Sequence, residues 1–152
     1  MVAYEEARQF LENGRELSRQ LDNKLVQWEY LNDQAKRVTT ILTGMPRSSG
    51  LSEGSSSMEN ACVAMIALVD QVGMCASRLI VARKKICDVL DQIMSDKYKL
   101  VLEDRYIACM SWRDIFKAMK MSKSQVMAVH NKGIQIVQTL LPGGKNESEG
   151  QE

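Results

Sequence analysis

The sequence predicts an all-α protein, in which a long helical hairpin of coiled-coil type is followed by a compact helix-turn-helix. Three observations carry this. Apolar residues recur with alternating steps of three and four over residues 7–42 and again over 58–93. The chain's two prolines, Pro46 and Pro142, lie outside both stretches, so nothing forces a break within either one. Ser111 and Ser122 then stand eleven residues apart, each opening a short apolar-periodic segment.

In the first stretch the repeat runs through Ala7, Phe10, Gly14, Leu17, Leu21, Lys24, Trp28, Leu31, Ala35, Val38 and Leu42, nine of them apolar. In the second it runs through Met58, Cys62, Met65, Val69, Val72, Ala76, Leu79, Arg83, Ile86, Leu90 and Ile93, ten of them apolar. A repeat of 3.5 residues held this long places one narrow apolar seam along each helix. Leu17, Leu21, Trp28, Leu31, Val69, Val72, Leu79 and Ile86 are the expected packing and oligomerisation residues. A second copy of the chain is the simplest cover for what the hairpin leaves open. A homodimer or a higher homo-oligomer is therefore expected.

Between the two stretches lies TGMPRSSGLSEGSSS, residues 43–57, expected to form a flexible tip because Pro lacks a donor and Gly and Ser are poor helix formers. Ser57 is the expected cap of the second helix, with Asn60 at its third position. Residues 1–95 thus form the hairpin region, 96–141 the helix-turn-helix domain, and 142–152 a disordered acidic tail.

Composition narrows the function. The four cysteines, at 62, 75, 87 and 109, contain no Cys-x-x-Cys pair, and His130 is the chain's single histidine. Reduced, mostly buried thiols are expected, with no metal and no cofactor. Phosphate-binding glycine loops and paired carboxylates in a catalytic context are missing from the sequence, so no enzymatic activity is expected. No apolar run reaches the ~20 residues of a membrane span and no signal-peptide core opens the chain, so a cytoplasmic protein without a membrane partner is expected.

The C-terminal segment is a different kind of object. Ser111 caps WRDIFKAM with Asp114 three residues on, and Ser122 caps KSQVMAVHNKGIQIVQTLL with Gln125 three residues on. On a helical wheel Val126, Val129, Gly133, Ile136, Val137 and Leu140 gather on one side of the last helix. Lys123, Ser124, Met127, Ala128, Asn131 and Gln135 gather on the other, with Lys132 at the edge. The outward face is short and polar and carries no carboxylate, so Ser, Asn and Gln side chains can reach base edges in a major groove. Trp112, Met119 and Met121 are expected in the packing of the corner, and His130 as a half-buried structural residue. Residues 96–141 carry a net charge of +4, against −1 for residues 1–95 and −2 for the tail. A near-neutral chain therefore conceals a basic module, the footprint that double-stranded DNA requires.

The stretch VLEDRYIACMSWRDIFKAMKMSKSQVMAVHNKGIQIV resembles region four of bacterial sigma factors, the module that reads the upstream promoter element. Through TTILTGMPRSSG, DRYI, SWRDI and VHNKGI, nearly the whole chain is similar to small phage and prophage transcriptional regulators of Gram-positive bacteria, the ArpU/RinA-like group. The resemblance implies a sequence-specific regulator bound to double-stranded DNA, with RNA polymerase as a further partner. It places Lys123, Ser124, Met127 and Ala128 in base-facing slots and Arg113, Lys120 and Lys132 against phosphate. Ser122, Gln125 and Asn131 complete the expected contact set. Phe116 stands where the family has alanine, Lys120 replaces the turn glycine, and Met127 and Ala128 replace longer polar residues. Two other classes fit the same pattern: a small-terminase-like DNA-packaging adaptor, and a protein-binding module acting on polymerase. A ring of about eight or more subunits marks packaging, and a dimer marks transcription.

Overall fold

The structure, a computed structural model, describes residues 4–43 and 52–142, with side chains described for 4–38 and 58–142. Tip residues 44–51, tail residues 143–152 and the side chain of Leu42 lie outside the described residues. Every element among the described residues is helical: α1 (Glu5–Thr43), α2 (Ser52–Leu90), α3 (Asp96–Leu102), a π-helical segment (Glu103–Ile107), α4 (Trp112–Met119) and α5 (Lys123–Leu140). The chain divides into two compact units, one of residues 1–17 with 79–152, the other of residues 18–78. The change of spacing at residue 95 is a boundary between elements, whereas packing divides the chain inside α1 and α2.

In the first unit a single core joins the start of α1, the end of α2 and the C-terminal helices. Ala7 and Leu11 meet Ile86, Leu90 and Ile93, together with Leu102, Tyr106, Ile134 and Val137, all buried. Two glycines permit this close fit. A Cβ on Gly14 of α1 would stand 2.8 Å from Cδ1 of Ile86, and one on Gly133 of α5 would stand 3.0 Å from Cδ1 of Leu102. The α1 backbone is also tied to α5, since Ala7 N–H donates to Oε1 of Gln138 (3.0 Å) and Gln138 Nε2 donates to Glu6 (3.2 Å). Glu5 and Glu6 in the first turn of α1 suit the positive end of its dipole. Where α2 gives way to α3, Lys99 on α3 pairs with Asp91 at 2.9 Å.

The second unit holds the remainder of α1 and the first part of α2. Leu17 at its border, and Leu21, Lys24, Trp28, Leu31 and Ala35 within it, are half-buried while most of their neighbours are exposed, which is the spacing the sequence predicts, but Val38, the next predicted position, is 42% exposed. On α2 the expectation requires a correction. The shielded column is Met58, Ala61, Met65, Leu68, Val72, Cys75, Leu79, Ala82 and Ile86, whereas Cys62 is exposed and Val69 is 55% exposed. One of the two predicted rows is right (58, 65, 72, 79, 86) and the other is displaced by one residue. The physical reason is that α2 is apolar on two adjoining columns, so the sequence offers two registers of equal hydrophobicity. Ala82 beside Arg83 is the position that separates them. Among the expected oligomerisation residues, Leu79 and Ile86 are buried within the chain, and Leu17, Leu21, Trp28, Leu31 and Val72 are half-buried. Val69 alone among them is exposed outside the seam.

Three further expectations change. α2 begins at Ser52, five residues before the expected cap at Ser57. Each Ser or Gly in that turn costs under about 1 kcal/mol, which helix propagation over 39 residues overrides. The four cysteines are all free, but none is buried: Cys62 is exposed and Cys75, Cys87 and Cys109 are intermediate. Met58–Leu90 is long and apolar enough, by length and composition, to cross a bilayer. The same doubled apolar column accounts for that.

Candidate nucleic-acid interface

Local sequence builds the α4–α5 corner one hydrogen bond at a time. Ser111 Oγ accepts from Asp114 N–H (3.2 Å) and donates to the Asp114 carboxylate (2.8 Å), closing the first turn of α4. At the far end Lys120 takes the left-handed conformation (φ 53°, ψ 38°). Lys120 N–H donates to Lys117 O (3.3 Å) and Met121 N–H to Phe116 O (3.4 Å), the paired bonds of a Schellman stop. Lysine here performs a turn more often given to glycine, so the corner keeps its shape and carries the strain of a Cβ in that region. One residue later Ser122 Oγ accepts from Gln125 N–H (3.3 Å) while Gln125 Oε1 accepts from Ser122 N–H (3.0 Å). Both halves of the expected capping box are therefore made. Met121, just before the cap, and Val126, just inside it, belong to one apolar cluster, which fixes the angle at which the chain enters α5.

That cluster, Val101, Ile115, Val126 and Val129, is enclosed by Met110, Trp112, Phe116, Met119 and Met121, and it holds α4 and α5 together. Beside it lies a polar fastening that sequence reasoning missed. His130 is 3% exposed, and its Nε2 lies 2.7 Å from the Tyr106 hydroxyl. The two share a buried hydrogen bond, and Nδ1 of the same ring is buried without a hydrogen-bond partner among the described residues. The Trp112 ring meets His130 edge-on at 4.8 Å, and the Arg105 guanidinium lies over Trp112 at 4.4 Å while donating to Met110 O (3.0 Å). Burial pushes the His130 pKa down to about 4, with weaker repulsion from Arg8 and Arg105 and a partial offset from Asn131. Burial likewise pushes the Tyr106 phenol up to about 12. His130 is thus buried where a half-buried residue was expected. The spacing that brings residues 106, 112 and 130 together depends on the π-helical segment. There Ala108 N–H reaches back to Glu103 O (2.9 Å), and Cys109 then turns the chain with φ 55°. No residue type in DRYIAC signals that extra loop of backbone.

With the corner fixed, the outward side of α5 is defined. Arg113, Lys120, Ser122, Lys123, Ser124, Gln125, Ala128, Asn131 and Lys132 are exposed, and Met127 is half-buried at the margin. Val126, Val129, Gly133, Ile134 and Val137 face the core. Ser122 and Gln125 are committed to the cap. Lys123, Ser124, Ala128 and Asn131 form the open strip, and no acidic residue occurs anywhere on α5. Among the described residues no cluster of three or more His, Cys, Asp or Glu side chains is arranged to hold a metal ion.

No protein-family model, curated protein or solved structure matches this chain.

Proposed function

We propose that the chain is a sequence-specific, double-stranded DNA-binding transcriptional regulator of phage type. In this reading α4 and α5 form a helix-turn-helix like sigma region four, carried on a helical hairpin made by α1 and α2. The observation that carries the proposal is the exposed face of α5. A capped helix start, one lysine and short Ser, Ala and Asn side chains are presented without any carboxylate to repel phosphate. The free N–H groups at the start of α5 and the cations Arg113, Lys120 and Lys132 around it suit phosphate, while Ser124 and Asn131 suit base edges. The protein acts in the host cytoplasm, beside or upon RNA polymerase. It acts as a homo-oligomer, because a module of modest charge gains affinity when two copies bind together.

The test is selection of bound fragments from the source genome at ~0.1 M salt, with wild type compared against a Lys123→Glu, Asn131→Ala variant. The expected result is enrichment of one intergenic site, a fall in affinity on the order of tenfold or more in the variant, and a shallower salt dependence. Equal behaviour of the two proteins, with no site enriched, refutes the proposal.

A further inference from the structure

α2 carries a second apolar seam that the described residues do not cover. Cys62, Ile66, Val69, Gly73, Ala76 and Ile80 follow steps of four and three along one face of this unbroken helix. Ile66, Val69 and Ile80 are 64%, 55% and 68% exposed, and only Ala76 of the six is shielded as far as half-burial. At 3.5 residues per turn this face lies about 100° around α2 from the shielded column. That is the disposition of a helix with a neighbour on each of two sides. Gly73 sharpens the point. Glycine in mid-helix costs roughly 0.5–1 kcal/mol relative to alanine. Gly14 and Gly133 answer for that cost by close packing, but a Cβ on Gly73 would meet nothing within 4 Å. Among the described residues nothing requires a glycine there.

We infer that this face receives the same face of a second copy, antiparallel and centred near residue 71. In that register each bulky residue meets a small one: Val69 against Gly73 of the second copy, Ile66 against Ala76, and Ile80 against Cys62. The next seam positions outward are Glu59 and Arg83, which then face each other across the interface at both ends. A parallel pairing would set Glu59 against Glu59 and Arg83 against Arg83, and valine against valine with the glycines left facing a gap. Charge and size therefore select the same orientation. Asp70, Ser77 and Lys84 form a polar row along one side of the seam, with exposed Val63, Met74 and Val81 beyond it. The inference gives a surface to the self-association proposed above and is independent of DNA binding.

Sedimentation equilibrium and mild oxidation of the full chain test it. Wild type is expected to form a reversible dimer. Gly73→Gln is expected to weaken dimerisation by roughly tenfold or more, because the longer side chain obstructs both symmetric contacts. The same change should raise the unfolding temperature of the dilute monomer, because a better helix former replaces glycine. That opposite sign separates the proposal from simple misfolding. Ile80→Cys is expected to give a covalent dimer through Cys62 of the second copy. In wild type the two Cys62 residues stand about 27 Å apart along the axis and do not link. A wild-type dimer that Gly73→Gln leaves unchanged overturns this surface while sparing self-association. A Cys62–Cys62 cross-link in wild type overturns the orientation. A wild type that is monomeric at all concentrations overturns surface and self-association together, and flotation of that monomer with phosphatidylcholine–phosphatidylglycerol vesicles would assign the face to lipid instead.

Discussion

Acidification should loosen the grip on α5 well before it affects an ordinary helical surface. The group responsible is His130, 3% exposed, hydrogen-bonded to Tyr106 and lying near Arg8 and Arg105. Its folded pKa of about 4 lies below the 6.5 of an exposed histidine, so the fold favours the neutral ring. As pH falls, the unfolded chain takes up its proton first. The stability contributed by the neutral ring is complete above about pH 6.5, declines from there to about pH 4, and is lost below that. The interval between the two pKa values corresponds to about 3 kcal/mol as an upper figure. That is a large share of the roughly 5–15 kcal/mol that holds a domain folded. The assay is urea unfolding from pH 7.5 to 4 for wild type and His130→Gln, whose amide offers both a donor and an acceptor to Tyr106 and does not titrate. Carboxylates contribute alike to both proteins, so the difference between the two curves isolates the histidine. A difference that stays constant to within about 0.5 kcal/mol across that range would refute the argument, because it would mean that the imidazole titrates as freely in the fold as in the unfolded chain.

Two further outcomes follow from the corner and the core. Lys120→Gly relieves the left-handed strain of a side chain at φ 53° and should raise stability by up to about 1 kcal/mol in thermal unfolding; under the proposed function it also weakens DNA binding through the lost cation. Gly133→Val places a branched side chain where even a Cβ stands 3.0 Å and 3.2 Å from the fully buried Leu102. It should cost roughly 1–3 kcal/mol, read as a lower midpoint in urea.

The parts of this architecture that depend on neighbours in sequence were legible. Ser111 with Asp114, and Ser122 with Gln125, announce two helix starts through side chains that reach only three residues along the chain. On α1 the spacing is legible from Leu17 to Ala35, whereas Val38 is exposed and the fully buried Leu11 stands beside the predicted Phe10. On α2 two columns compete, and only the choice between Ala82 and Arg83 distinguishes them, so the seam was misplaced on one side. The fastening of Tyr106, Trp112 and His130 was illegible. It is assembled by the π-helical segment and the turn at Cys109, neither of which needs a glycine or a proline to announce it. Lys120 shows the opposite case, in which the residue type argues against a conformation that the backbone adopts anyway.

The core that seats α5 draws Ala7 and Leu11 from one end of the chain and Ile86 and Leu90 from its middle. In chain order, residues 18–78 are therefore an insertion into a small domain whose first strip of sequence is the beginning of α1. Cutting the chain at residue 95 would not liberate a complete C-terminal unit, because the fragment would leave behind part of its own core. Removing the first dozen residues would damage the same end of the molecule although they lie more than a hundred residues away in sequence. Residues 18–78 pack as a unit of their own, so substitutions confined to them leave the seat of α5 with every residue it is built from.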